Sequence, residues 1–241
     1  MPLSQGPDEP FFIVGAGATA RDALAILHER GQMELLRGFL IQGEPKAGQS
    51  LAGRPILGAS ALAALPTGTL LADCIASPMR EPFIQGLEQL GHKFISLVHP
   101  RANVHPHAKI GRGCVIQGGA AVGADVTIED HVTLNWNCLV GHDAVVERYA
   151  HLTGGAMTGA RTRIGHGAML GLGAVVLEDR RVGARSMLGA MALVNRDIPP
   201  GVLAYGQPAV IKRQITAAEL ADLVAHRQNS NLDALQGKNR P

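Results

Sequence analysis

The chain has 241 residues, 46% hydrophobic but only 3% aromatic, with 30 glycines and a formal net charge of +2. With no long basic run and few rings to stack bases, nucleic-acid binding has little support. No apolar run approaches the roughly 18 residues of a membrane span, and three unclustered cysteines suit neither a disulfide framework nor zinc. Asp8 and Glu9 stand where a leader would be basic, so the expectation is a soluble, cytoplasmic protein with no membrane partner.

Residues 1–10 are polar and contain three prolines, which predicts a loose arm. Phe11 to Gly15 reads as a buried strand and runs through Gly15, Ala16 and Gly17 into a helical stretch, Arg21 to Arg30. Strand, glycine turn and helix make a Rossmann-like unit, whose turn lets phosphate oxygens approach backbone N–H groups at a helix start. Arg21, in the first helical turn, is placed to meet such a phosphate. Further strands are expected near Gly38–Gln42, Pro55–Leu57 and Leu70–Ala76, then a helix capped by Ser77 and Pro78 that runs to Leu90, then a closing strand Phe94–Val98. The position that holds a ribose in dinucleotide-binding folds carries Ile41 and Gln42 instead of an acid, which argues against a dinucleotide cofactor.

From Val104 the pattern changes. Counting by six gives Ile110, Ile116, Val122, Ile128, Leu134, Val140, Val146, Leu152, Thr158, Ile164, Leu170, Val176, Val182, Leu188 and Val194. Only Thr158 is not aliphatic, and it must find a hydrogen bond or cost stability. Small residues such as Ala108, Cys114, Ala120, Cys138 and Ala144 follow four places later. This period is neither helical nor that of a simple strand; it predicts a solenoid whose triangular coil takes three hexapeptides. The domains expected are 1–98 α/β, 99–203 solenoid, and 204–241 loop, helix and tail. After Pro199 and Pro200 stop the repeat, Val202–Arg213 reads as a loop. Thr216–Arg227 reads as a helix with a capping box from Thr216 and Glu219, and the last dozen residues as a polar tail.

Packing accounts for the inward positions, so the informative ones face outward. One coil apart from His142 stand Ala124 and Ala160, small neighbours that leave a recess around the imidazole. Gly154, Leu172 and Ala190 form a shallow apolar column above Trp136, an outward tryptophan that reads as a subunit contact. His107 and His142, and again His131 and His166, are 35 apart, one short of two coils, and complete no in-register triad, so no metal is expected.

Val140–Val145, with Gly141, His142 and Asp143, then Gly171–Ala174, Leu188–Ala190 and Ala204–Ala209 resemble the left-handed β-helix acyltransferases. The two-domain layout with His99 and Pro100 at the junction is similar to their sialic-acid O-acetyltransferase and bacterial amino-sugar N-acetyltransferase branch. The fold class expected is a Rossmann-like α/β domain, then a left-handed parallel β-helix, then a short C-terminal helix.

The resemblance implies a homotrimer with sites between neighbouring solenoids, acetyl-CoA as co-substrate, no tightly bound cofactor, and a sugar or nucleotide-sugar acceptor held by the N-terminal domain. It makes His142 the general base and Asp143 its orienting acid, in place of a commoner glutamate that is longer by a methylene. Asn135, Gly15, Gly17 and Arg21 become acceptor contacts. His151, Gly159 and Ala160 contact the acyl group, where a backbone N–H stabilises the oxyanion. Leu172, Ala190, Gln207 and Pro208 line the path of acyl-CoA.

Members that bind a uridine nucleotide have a different turn where this chain has Ala18–Arg21, and paired aspartates where it has Ile41 and Gln42, so the acceptor site reads as changed. The function expected is N-acetylation of a nucleotide-linked surface-glycan sugar in polysaccharide biosynthesis. The alternatives are O-acetylation of sialic acid or a related sugar, and a non-catalytic trimeric scaffold; metal-dependent hydration ranks below both.

Overall fold

The computed structural model describes residues 7–77, 80–216 and 219. The six-residue period becomes a solenoid of two-residue rungs, three to a coil, each pairing in parallel with the rung eighteen residues on. On one face Val115 is level with Thr133 and then His151. On the second, Ala121 is level with Leu139 and then Met157. On the third, Thr127 is level with Val145 and then Arg163. The alternate residue of each rung points inward, so Ile116, Leu134, Leu152 and Leu170 stack fully buried, with Cys114, Ala120, Cys138 and Ala144 filling the corners. Each such aliphatic contributes about 1.5–3 kcal/mol on burial.

The coil turns through residues with positive φ, among them Asp125, Asn137, Asp143 and Asp179 at 57° to 59°. Asn and Asp tolerate that region because the short polar side chain bonds locally, which is why they recur three places after the aliphatic. The winding is left-handed, opposite to the usual crossover.

The N-terminal region is a sheet of β1 (Phe11–Val14), β2 (Leu36–Leu40), β3 (Ser50–Leu51), β4 (Arg54–Leu57), β5 (Leu70–Asp73) and β6 (Lys93–Phe94). Helices α1 (Ala18–Glu29), α2 (Ala59–Ala63) and α3 (Glu81–Gln89) connect them. The order β3-β4-β2-β1-β5-β6 reverses direction between β1 and β5, so the crevice at the carboxyl ends of those two strands is the topological switch point. Gly15 sits there with φ of +106°, and a Cβ on it would lie 2.9 Å from the Cys74 carbonyl oxygen, so only glycine fits the turn.

Three elements differ from the sequence reading. The expected strand Phe94–Val98 divides: Lys93–Phe94 closes the first sheet, whereas Leu97–Val98 is already the first rung of the solenoid. The helix after β5 starts at Glu81, capped by Arg80 rather than Ser77, because the Ser77 carbonyl is held in a turn by the Arg80 backbone and guanidinium. The segment Val202–Arg213 is not a loop. Val202–Tyr205 joins the first face of the solenoid, and Val210–Gln214 pairs back on it antiparallel, which covers a rung edge that would otherwise be open.

Thr158 finds no partner for its hydroxyl among the described residues, although it is fully buried. The capping box is formed: the Glu219 N–H donates to Thr216 Oγ1 at 3.2 Å, and the Glu219 carboxylate accepts from the Thr216 N–H at 2.9 Å. The rest of that expected helix, the polar tail and residues 1–6 of the expected arm lie outside the described residues. Among the described residues no helix is long and apolar enough to cross a membrane.

Thr158→Val swaps the orphan hydroxyl for a methyl in the same column. Since an unsatisfied buried hydroxyl costs about 1–3 kcal/mol, the variant should unfold at higher temperature and denaturant than the wild type. A lower midpoint would show that the hydroxyl is partnered.

Candidate active site

His142 follows the Leu139–Val140 rung at the corner between the second and third faces. A Cβ at Gly141 would meet the Gly159 carbonyl carbon at 2.5 Å, so glycine there lets adjacent coils close up beside the imidazole. His142 Nδ1 lies 2.7 Å from Asp143 Oδ2, and both side chains are more than half exposed. A carboxylate only accepts, so Nδ1 carries the proton and Nε2 presents its lone pair outward. The shorter aspartate reaches because Asp143 takes the left-handed corner conformation, with φ of +58°, and its N–H is anchored on the Ala124 carbonyl at 2.9 Å. The Arg161 N–H holds the His142 carbonyl from the next coil at 2.9 Å. Ala124 and Ala160 flank the imidazole one coil away on either side.

Asn135 and His151 are brought together on the other side of the second face. Asn135 Nδ2 stands 3.3 Å from His151 Nε2, and Asn135 Oδ1 is buried with no partner among the described residues. His151 is 2% exposed. Within one chain this pair is a corner away from His142, so the structure joins His142 with Asp143, and Asn135 with His151, but not the two pairs. The Gly159 N–H is committed to the Val176 carbonyl at 2.8 Å, so of the Gly159–Ala160 turn only the Ala160 N–H is uncommitted among the described hydrogen bonds. Leu172 is exposed and packs over Gly154, with Ala190 above it; Gln207 donates to the Met191 carbonyl at 2.8 Å, and Pro208 stands beside it, exposed.

Gly17 caps α1, Gly15 forms the turn before it, and Arg21 is exposed one turn into the helix. At its far end, α1 is tied to the first coil. Arg30 donates to the Val98 carbonyl at 2.7 and 2.9 Å, and Glu29 meets Arg101 at 2.5 Å and His99 at 3.6 Å. Nearer its start, Asp22 accepts from the Trp136 indole N–H two coils higher. Seven residues at about 1.5 Å each match two rungs at about 4.8 Å, so α1 runs along the solenoid axis. Its N-terminus and the glycine turn therefore sit near the rung of His151.

Within the chain Trp136 lies half-buried against α1 and, edge-on at 5.4 Å, against His99. Asp22 was not singled out from the sequence; nothing in a helical stretch marks which acid will be covered by another domain. Burial pushes its carboxyl up, against the pull of Arg21 and the Trp136 N–H. The three cysteines are buried, and burial pushes the Cys114 and Cys138 thiols up to about 12, which leaves them without a useful thiolate. Among the described residues no three His, Cys, Asp or Glu side chains gather as a metal site.

No protein-family model and no curated protein matches the chain. Solved structures do. PerB of Caulobacter crescentus, solved with CoA and GDP-perosamine, is 27% identical over 87% of this chain and 100% of that one, with a TM-score of 0.77. The acetyltransferase domain of PglB from Neisseria gonorrhoeae, also solved with acetyl coenzyme A, is 27% identical over 85% of this chain and 100% of that one, at 0.77. WeeI of Acinetobacter baumannii, 22% identical over 85% and 100% at 0.76, shares the fold. The chain therefore has the fold of left-handed β-helix acyltransferases and is similar, at 27% identity, to a perosamine N-acetyltransferase and to the PglB acetyltransferase domain.

The raised Asp22 carboxyl has a consequence for stability. The folded state holds this proton more tightly than the unfolded chain, so stability falls as pH rises from the unfolded value through the folded one. Asp22→Asn lacks that step while its amide oxygen can still accept from Trp136. The variant should therefore gain on the wild type between about pH 3 and pH 7; thermal midpoints that differ equally at both pH values would refute it.

Proposed function

We propose that the chain is an acetyl-CoA-dependent N-acetyltransferase acting on the amino group of a nucleotide-linked sugar. The observation that carries the proposal is the His142–Asp143 pair, whose Nε2 lone pair is directed to solvent beside small neighbours. The perosamine N-acetyltransferase neighbour, solved with CoA and GDP-perosamine also after replacement of a histidine by asparagine or alanine, supports the substrate class.

The acceptor amine attacks the thioester carbonyl, so a C–N bond forms as the C–S bond breaks. His142 Nε2 takes the proton that the nitrogen must lose, Asp143 stabilises the resulting imidazolium, and the proton passes to the departing CoA thiolate. The Ala160 N–H is the donor available for the oxyanion. Asn135 and His151 hold acceptor and acyl group, while Gly15, Gly17 and Arg21 meet the acceptor's phosphates at the start of α1. Leu172, Ala190, Gln207 and Pro208 bound the pantetheine and nucleotide of CoA. Among the described residues no outward cysteine or serine stands beside His142, so direct transfer is favoured over an acyl-enzyme.

A trimer completes the site. The first face of the solenoid is covered by the N-terminal domain, and the third presents Lys109, Thr127, Arg163 and Arg181. The second presents Ala121, Leu139, Met157, Val175 and Leu193, with Leu139 and Met157 over 40% exposed. Three such faces around a threefold axis set the Asn135 edge of one copy against the His142 edge of the next. The place of this reaction is the supply of sugars for surface polysaccharide, in the cytoplasm.

Free-thiol release from acetyl-CoA, measured across UDP-, dTDP-, CDP- and GDP-linked amino sugars and free sialic acid, tests the reading. His142→Ala should lower kcat/KM by about 10²–10⁴ at pH 7, the usual worth of a general base, without weakening CoA binding. Equal activity of variant and wild type would remove His142 from the mechanism, and release only with sialic acid would favour O-transfer. CoA binding without release from any acceptor would favour a scaffold. Mixing denatured His142→Ala and Asn135→Ala chains and refolding them together should restore activity that neither variant has alone; no restoration would place both residues' work within one chain.

A further inference from the structure

We infer that Arg80 is a positioning residue for the acceptor, setting the height and tilt of the switch-point crevice against the coils that carry Asn135 and His151. The inference rests on the proposed transfer to a nucleotide-linked sugar.

Arg80 is 3% exposed, and its guanidinium and the Asp73 carboxylate are wholly buried. Its donors divide between the two parts of the molecule. On the N-terminal side, Nε donates to Asp73 Oδ2 at 2.8 Å and Nη1 to the Ser77 carbonyl at 3.1 Å. On the solenoid side, Nη1 reaches the Tyr149 carbonyl at 3.4 Å and Nη2 donates to the His131 carbonyl. His131 and Tyr149 are eighteen apart, corner residues of successive coils, with rings stacked at 5.0 Å and 8°. The rigid guanidinium fork therefore bridges two coils, whereas an ammonium has neither the span nor the plane to do so.

The other end of the fork is the crevice. Asp73 ends β5, and its second oxygen accepts from the Ile75 N–H at 3.2 Å, so one carboxylate shapes the crevice wall and holds Arg80. Desolvation alone would raise the Asp73 carboxyl, but Arg80 and then His131, at 3.2 Å, hold it below the usual carboxylate range and keep it charged.

The far side of the domain is tied down separately, through α1, by Arg30, Glu29 and Asp22. On the Arg80 side α3 also reaches the solenoid, Glu81 to His166 at 2.8 Å and to Arg185 at 3.2 Å, and Glu88 to Arg112 at 3.0 Å. These pairs are partly exposed and solvent weakens them, so without Arg80 the domain stays attached along α1 and gains freedom to pivot about it. A displacement of about 1 Å between reacting groups costs on the order of 10²-fold in rate, so a pivot is felt in turnover before it is felt in binding.

The test compares wild type with Arg80→Lys and with the neutral pair Arg80→Gln, Asp73→Asn, which leaves no unpaired buried charge. The acceptor is whichever nucleotide-linked amino sugar gives transfer with the wild type. The expected result is a kcat lower by about tenfold or more, with KM for acetyl-CoA and the Kd for CoA within about twofold of wild type, as loss of positioning alone requires. An unchanged kcat in a folded variant would overturn the inference, as would CoA affinity falling in step with kcat. Failure of both variants to fold would make Arg80 a structural clamp and overturn it too. A wild type that transfers to no acceptor would instead bring down the proposed function on which this rests.

Discussion

Backbone hydrogen bonds between rungs hold residue n opposite residue n+18, and every other feature of the molecule inherits its position from that register. Leu97 N–H to the Cys114 carbonyl, Val115 to Val132, Thr133 to Ala150 and His151 to Ala168 repeat the same bond at 2.8 to 3.0 Å up one face. A slip of one residue would turn a column of buried aliphatics to solvent and its polar neighbours inward, so the register is specified many times over. Because it is, the three faces acquire fixed characters. One is buried against another domain, one is apolar and open, and one is charged. The corners between them lie where His142 and Asn135 stand.

Besides partly exposed ion pairs from Glu81 and Glu88 of α3 to His166, Arg185 and Arg112, the N-terminal domain is attached by two unlike devices. Along α1 the match between helix rise and rung spacing lets contacts recur at both ends of the helix, which is an alignment along the axis. Around Arg80 a single buried cation ties the end of β5 to two coils, which is an anchor across the axis. A buried ion pair of this kind is weak evidence for stability, since desolvation offsets most of the attraction. Its distinctive property is directional: four acceptors in a fixed plane define an orientation that apolar packing would leave loose.

The chemistry needs little from any single element. His142 obtains its tautomer from the adjacent Asp143, which reaches it through a left-handed corner that the solenoid requires anyway. The same corner conformation therefore serves the winding and orients the His142 imidazole. Asn135 and His151 meet at 3.3 Å, and the Asn135 oxygen is buried with no partner among the described residues.

The amino-acid sequence by itself determined the solenoid, its register and the pairing of His142 with Asp143. A period of six over some ninety residues leaves one arrangement that buries every aliphatic, and local turn chemistry selects Asn, Asp and Gly at the corners. The sequence also located the glycine turn and the α1 helix. It did not show that Phe94–Val98 divides between two sheets, since both halves are equally apolar, or that Val202–Arg213 forms a hairpin, since Leu203 pairs with Met187, out of the eighteen-residue register that the repeat sets. Trp136, Asp22, Arg80 and Asp73 acquire their partners only when one domain folds against the other. Those contacts join residues 51 to 114 positions apart, and no local propensity encodes them. Only the tertiary structure decided which acid is buried, which arginine spans the junction, and that Asn135 and His142 stand on opposite edges of one open face.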